Sequence, residues 1–188
     1  MLVIFIVVFA LAGNAGAQAP PQTSGSSAAR STQSQPTPKL LSAALASSAE
    51  DSAAESELLA LANQRRKEVG VTPLRADESL MNAARAHARL MVDSQRLSHQ
   101  FEGERSLMPR LHDAGLWPNS AGENVAYHAS VEKAFESLMQ SPPHRQNLLD
   151  PDFNVAGMAA FWSGGRLYVV QDFAHTVPQV LPASKHQR

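Results

Sequence analysis

Apolar positions along the chain change their spacing three times. Leu2 to Gly13 is a nearly unbroken apolar run, followed by Ala15-Gly16-Ala17. That order, a short hydrophobic region and then small residues, predicts a secretory signal peptide over residues 1–17, cut after Ala17. The run is shorter than the roughly 20 residues a membrane-spanning helix needs, so no span is expected after cleavage. No Lys or Arg precedes it, and an N-terminal anchor is the competing reading. Residues 18–50 then carry Ala, Ser, Pro, Gln and Thr with few large apolar side chains, which predicts a disordered linker.

From residue 51 the pattern turns helical. Ser52-x-x-Glu55 reads as a capping box, and Leu58, Leu59, Ala62 and Val69 fall on one face before Gly70. Asp77 caps a second helix with the stripe Leu80, Ala84, His87, Ala88 and Met91. Ser106 opens a short helix ending at Gly115. Ser130 opens another, with Val131, Ala134, Phe135 and Leu138 inward, and Pro142-Pro143 is read as its stop. The last change is to strands: Val155–Trp162 and Arg166–Ala174, divided by Ser163-Gly164-Gly165, predict a hairpin. Helices followed by an antiparallel hairpin predict an α+β fold of packed layers. The ordered domain is placed at residues 51–176, with a flexible tail at 177–188.

Composition narrows the function classes. Lys and Arg number 16 against 17 Asp and Glu, with no basic stripe, so no nucleic-acid partner is expected. The chain has no cysteine, which removes disulfides, thiol nucleophiles and Cys-ligated zinc. The domain must be held by packing.

Several segments, in order, resemble the bacterial branch of the CAP superfamily, the cysteine-rich secretory and pathogenesis-related proteins (SCP domain). Asn63-x-x-Arg66-x-x-x-Gly70-x-x-Pro73-Leu74 continues through Asp77, Leu80, Ala83-Ala84, His87-Ala88 and Met91. Leu97-Ser98-His99 follows, then Gly122-Glu123-Asn124-Val125-Ala126. Ser141-Pro142-x-His144-Arg145-x-Asn147-Leu148-Leu149 and the closing Tyr168-Val169-Val170-Gln171-Asp172-Phe173 complete the likeness, over about two-thirds of the chain. The resemblance implies a three-layer α-β-α sandwich with a small, mostly antiparallel sheet and a central cleft. It also implies that His99, Glu123 and His144 line that cleft. Many eukaryotic relatives carry a second Glu where this chain has Ser141, so chemistry that needs two carboxylates at those positions lacks one of them.

Two imidazoles and a carboxylate are the ligand set of an open zinc site, which makes His99, His144 and Glu123 candidate metal ligands; zinc is possible but not required. In a different arrangement, Glu123 fixes the tautomer of one ring and leaves the other as a base. Ser98 and Ser141, close in sequence to the histidines, leave a Ser-His hydrolase open, although neither lies in a Gly-x-Ser-x-Gly elbow. A mutually satisfied polar network is the fourth reading. The expected function is an exported domain, periplasmic or extracellular, that binds a small molecule, lipid, peptide or partner protein at the cleft. An extracytoplasmic hydrolase, or an interaction module with an inert cleft, is the alternative. His87, on an apolar stripe, is expected to be a packed core histidine. Arg145 and Asn147 are expected to pin a loop through backbone carbonyls, and Asn124 to sit in a turn.

Overall fold

Asp51, one residue before the expected capping box, opens the first helix. Its Oδ1 accepts from the Ala54 amide at 2.9 Å and its Oδ2 from the Trp162 indole at 3.0 Å, so one carboxylate caps a helix and ties it to a strand. Ser52 is the first helical residue instead of the cap. The computed structural model describes residues 49–177. The expected leader, most of the linker and the tail from residue 178 onward lie outside the described residues. The last two residues assigned to the linker are strand β1, Ala49–Glu50, which pairs with Trp162 and Phe161.

Ten elements follow in order: β1, α1 Ser52–Glu68, β2 Arg75–Ala76, α2 Glu78–Ser94, α3 Leu107–Asp113, β3 Ser120–His128, α4 Val131–Gln140, α5 Pro142–Leu149, β4 Val155–Ser163 and β5 Arg166–His175. The sheet runs β1-β4-β5-β3, antiparallel throughout, with β2 added in parallel to β4. Its backbone is the β4–β5 hairpin, which pairs Ser163 with Arg166 across Gly164 and Gly165. Both glycines have positive φ, 57° and 74°, as a two-residue turn matching strand twist requires. The expected caps at Asp77 and Ser130 are present, accepting from Leu80 and Lys133.

Strand periodicity sorts the core into two layers. Ala156, Met158, Ala160, Leu167, Val169 and Phe173 face α1, α4 and α5. Val155, Ala159, Phe161, Tyr168 and Val170 face α2, with α3 alongside. The sheet is therefore covered on both faces, the α-β-α sandwich expected. One position sets how closely α2 approaches: a Cβ on Gly157 would lie 2.2 Å from the Leu80 carbonyl carbon. Arg66, with no exposed surface, donates to the carbonyls of Thr72, Leu148, Asp150 and Phe153, pinning α1 to the loop beyond α5.

Two elements differ from the sequence reading. Gly122–Ala126 lies inside strand β3, so Asn124 is a strand residue and not a turn residue. Pro142-Pro143 does end α4, but the same prolines start α5, where the missing amide costs nothing.

Candidate functional site

Strand β3 is an edge strand, and its side chains alternate between the two layers. Gly122 and Asn124 face α5; Glu123, like Ala121 and Val125, faces α2 and α3. The close fit at α5 shows at Gly122, where an added Cβ would meet the Phe153 ring at 3.2 Å and Asn147 Oδ1 at 3.3 Å. Asn124 reads the turn that carries His144: its Nδ2 donates to the His144 carbonyl at 3.0 Å and to Gln171 Oε1 at 3.1 Å. Asn147 donates to the Glu123 carbonyl, as expected of a donor to backbone, and to Asn124 Oδ1, but both partners lie in strand β3, so it ties helix α5 to the strand and not to a loop. Arg145 reaches the Met139 carbonyl at 3.4 Å.

On the other side of β3, Glu123 is buried and both of its oxygens are engaged. His99 Nδ1 lies 2.9 Å from Oε1, and Arg110 Nη2 lies 2.5 Å from Oε2. Burial works to raise the Glu123 pKa, but the His99 hydrogen bond, and after it the neighbouring His87 ring and the Arg110 charge, outweigh it and hold the carboxyl below its ordinary value. Glu123 is therefore ionised, and His99, when neutral, donates from Nδ1 and carries its lone pair on Nε2.

His144 stands close enough to His99 that burial first, and the neighbouring ring second, lower its pKa. Its Nδ1 is buried with no hydrogen-bond partner among the described residues, and so is Ser141 Oγ at the cap of the same helix. Ser141 and His144 thus do not hydrogen-bond to each other. The structure brings His99 to Glu123 and His144 to the neighbourhood of His99, while Ser141 stays three residues before His144 as the cap of α5. The Ser98 hydroxyl is engaged with Gln100, donating to its carbonyl at 2.6 Å and accepting from its amide at 3.2 Å.

His87 and three groups that the sequence reading did not place at the site, Glu104, Arg110 and Asp172, complete the buried side. His87 is buried as expected, but it does more than pack. Its Nδ1 lies 2.6 Å from Glu104 Oε1 and its Nε2 lies 2.8 Å from the Ser98 carbonyl. Glu104 also accepts from Arg110 Nη1 at 3.0 Å and from the Phe101 amide at 2.9 Å. Asp172, with no exposed surface, sits opposite Glu123 in the β3–β5 ladder. A lone Asp inside the apolar run Leu167–Ala174, and a His on the stripe of α2, were the available signals.

As a three-ligand metal centre the residues fit poorly. Glu123 has one oxygen on His99 and the other on Arg110, and no group of three His, Asp or Glu among the described residues is arranged to hold an ion. No helix among them is long and apolar enough to cross a membrane.

Residues 59–173 match the family model described as CAP, the cysteine-rich secretory protein family. The Bacillus subtilis protein YkwD is 33% identical over 114 residues, 60% of this chain and 44% of that protein. The B. subtilis membrane protein YlbC is 30% identical over 120 residues, 63% of this chain and 34% of that protein. The chain thus spans less than half the length of these relatives. Among solved structures, an extracellular protein containing an SCP domain from Bacillus anthracis superposes with TM-score 0.60 at 26% identity, over 66% of this chain and 41% of that one. An outer surface protein of Borrelia burgdorferi has the same fold, with TM-score 0.64 at 18% identity over 69% of this chain and 98% of that one.

Proposed function

The chain belongs to the CAP, or cysteine-rich secretory protein, family, and from that premise we propose that it is an exported domain that binds a small organic ligand at the cleft between His99 and His144. The observation that carries the proposal is the pair of buried, unpartnered polar atoms at the start of α5, His144 Nδ1 and Ser141 Oγ. Buried polar groups ordinarily have partners, and two without one on the same helical turn suit a ligand that supplies them. Burial keeps His144 neutral near pH 7, so its ring can meet either a donor or an acceptor.

Glu123 acts in this reading through His99, by fixing the ring's tautomer, and not as a metal ligand. A lipid headgroup, a peptide or a polar metabolite all offer the required hydrogen-bonding groups. Export is supported by the leader-like residues 1–17 and by the extracellular and outer-surface proteins that share the fold.

The test is native mass spectrometry of the full chain after incubation with a small-molecule extract of bacterial envelopes. A stoichiometric adduct on the wild type that disappears in His144→Ala is expected. No adduct, or one retained equally by the variant, overturns the reading.

A further inference from the structure

The edge of the sheet opposite β3 is broken. Strand β4 is covered there by two short pieces, β1 antiparallel and β2 parallel, which do not meet. The pairing of β1 ends where the Asp51 amide donates to the Ala160 carbonyl at 2.9 Å. That of β2 ends where the Asp77 amide donates to the Ala156 carbonyl at 3.0 Å. Residues two apart in a strand point their peptide groups to the same side. Met158, midway between Ala156 and Ala160, therefore turns its amide and its carbonyl outward into the break. Neither group has a hydrogen-bond partner among the described residues, although Met158 is buried. Buried peptide groups ordinarily have partners, and here a donor and an acceptor of one residue both lack them.

The break opens onto a cavity of about 140 Å³. Its walls are mainly apolar: Leu59 from α1, Met81 from α2, Ala76 from β2, and Ala156 and Met158 from β4. The charged groups beside it are engaged with each other, since both Glu55 oxygens accept from Arg85. The cavity thus offers apolar surface and one peptide donor and acceptor. An apolar cavity of about 150 Å³ holds a body the size of benzene, and an aliphatic side chain is comparable. The ends of the break limit the length of an occupant. From Ala156 to Ala160 is roughly 13 Å along β4, and β1 and β2 close the two ends. A long added strand could not run through, whereas one or two residues fit.

We propose that this break is a second binding site, which takes a short peptide. One residue of the peptide pairs its N–H and C=O with Met158, and its aliphatic side chain fills the cavity. Strands β4 and β5 stand between this site and the β3 edge that carries the cleft, so either site can exist without the other.

The experiment titrates the nitrogen-15-labelled full chain with N-acetylleucine methylamide, a one-residue probe with a peptide group on each side. The Met158 amide proton should move downfield and saturate, as a newly bonded amide does, while the His144 ring signals stay in place. N-acetylglycine methylamide keeps the peptide groups but lacks the side chain, so it should bind at least about tenfold more weakly. Ala76 lies in the cavity wall on an exposed strand, and Ala76→Leu places an aliphatic group of the protein's own in the cavity. That variant should lose the response to the leucine probe. A Met158 amide that does not respond in the wild type overturns the proposal, as do equal affinities for the two probes or an undiminished response in Ala76→Leu. Should the variant fail to fold, the comparison of the two probes on the wild type decides.

Discussion

His99 Nδ1 lies 2.9 Å from Glu123 Oε1, while the other oxygen of that carboxylate holds Arg110. One side chain thus orients the His99 imidazole and neutralises the largely buried Arg110 guanidinium. Glu123→Gln keeps the shape but removes the charge, leaving Arg110 with one buried anion, Glu104, in place of two. Breaking a buried pair in this way should cost about 3 kcal/mol, measured as the loss in urea-unfolding free energy. The His99 ring should also lose its preference for the Nδ1–H tautomer, read from nitrogen-15 shifts. A variant as stable as the wild type contradicts the assignment.

Arg66 is the tie between the two ends of the α1 layer. Arg66→Ala leaves four carbonyls without their donor, several of them buried, and should cost about 3 kcal/mol or more. Arg66→Lys cannot reproduce the planar fork and should recover only part of that loss. Thermal unfolding of the three proteins checks the order.

Gly157 marks the closest approach of a helix to the sheet. Gly157→Ala must move α2 away from β4, because the new methyl group would overlap the backbone at Leu80. A cost of about 2 kcal/mol or more is expected from overpacking. The readout is the urea midpoint, with an unchanged value contradicting the tight contact.

Stability should fall with acid through two groups. Glu123 has a folded pKa below its unfolded value, so its contribution is complete above about pH 4.5 and is lost as pH drops below that. His144 is a base with a lowered folded pKa, so the unfolded chain takes up its proton first, and stability declines as pH falls below about 6.5. His144→Gln should flatten the decline just below pH 6.5 and leave the steeper loss near pH 4 intact. Urea midpoints taken from pH 4 to 8 separate the two.

How much of this was legible in the sequence depended on whether an element kept its own partners local. Helices α1, α2 and α4 and the β4–β5 hairpin have caps, stripes and a glycine turn within a few residues, and they appear where the pattern placed them. Strand β3 did not show itself, because both of its faces are covered and Ala121–Ala126 runs two small residues, two polar ones, a valine and an alanine, with no alternation of apolar and polar positions. The double proline before α5 has one meaning as a stop and another as a start, and spacing alone does not choose between them. His99, Glu123 and His144 were legible through family resemblance. Glu104, Arg110 and Asp172 were not, since their roles depend on a loop, a short helix and a strand meeting at one point, which no local pattern encodes.

The central claim is that His144 presents an unpartnered ring nitrogen to a ligand while His99 stays bound to Glu123. Nitrogen-15 spectra of the histidine rings, recorded with and without the same envelope extract, test it most directly. The account predicts that His144 Nδ1 shifts and the Nδ1–H signal of His99 stays in place. A spectrum in which His144 does not respond, while the extract still yields an adduct on the protein, would contradict it.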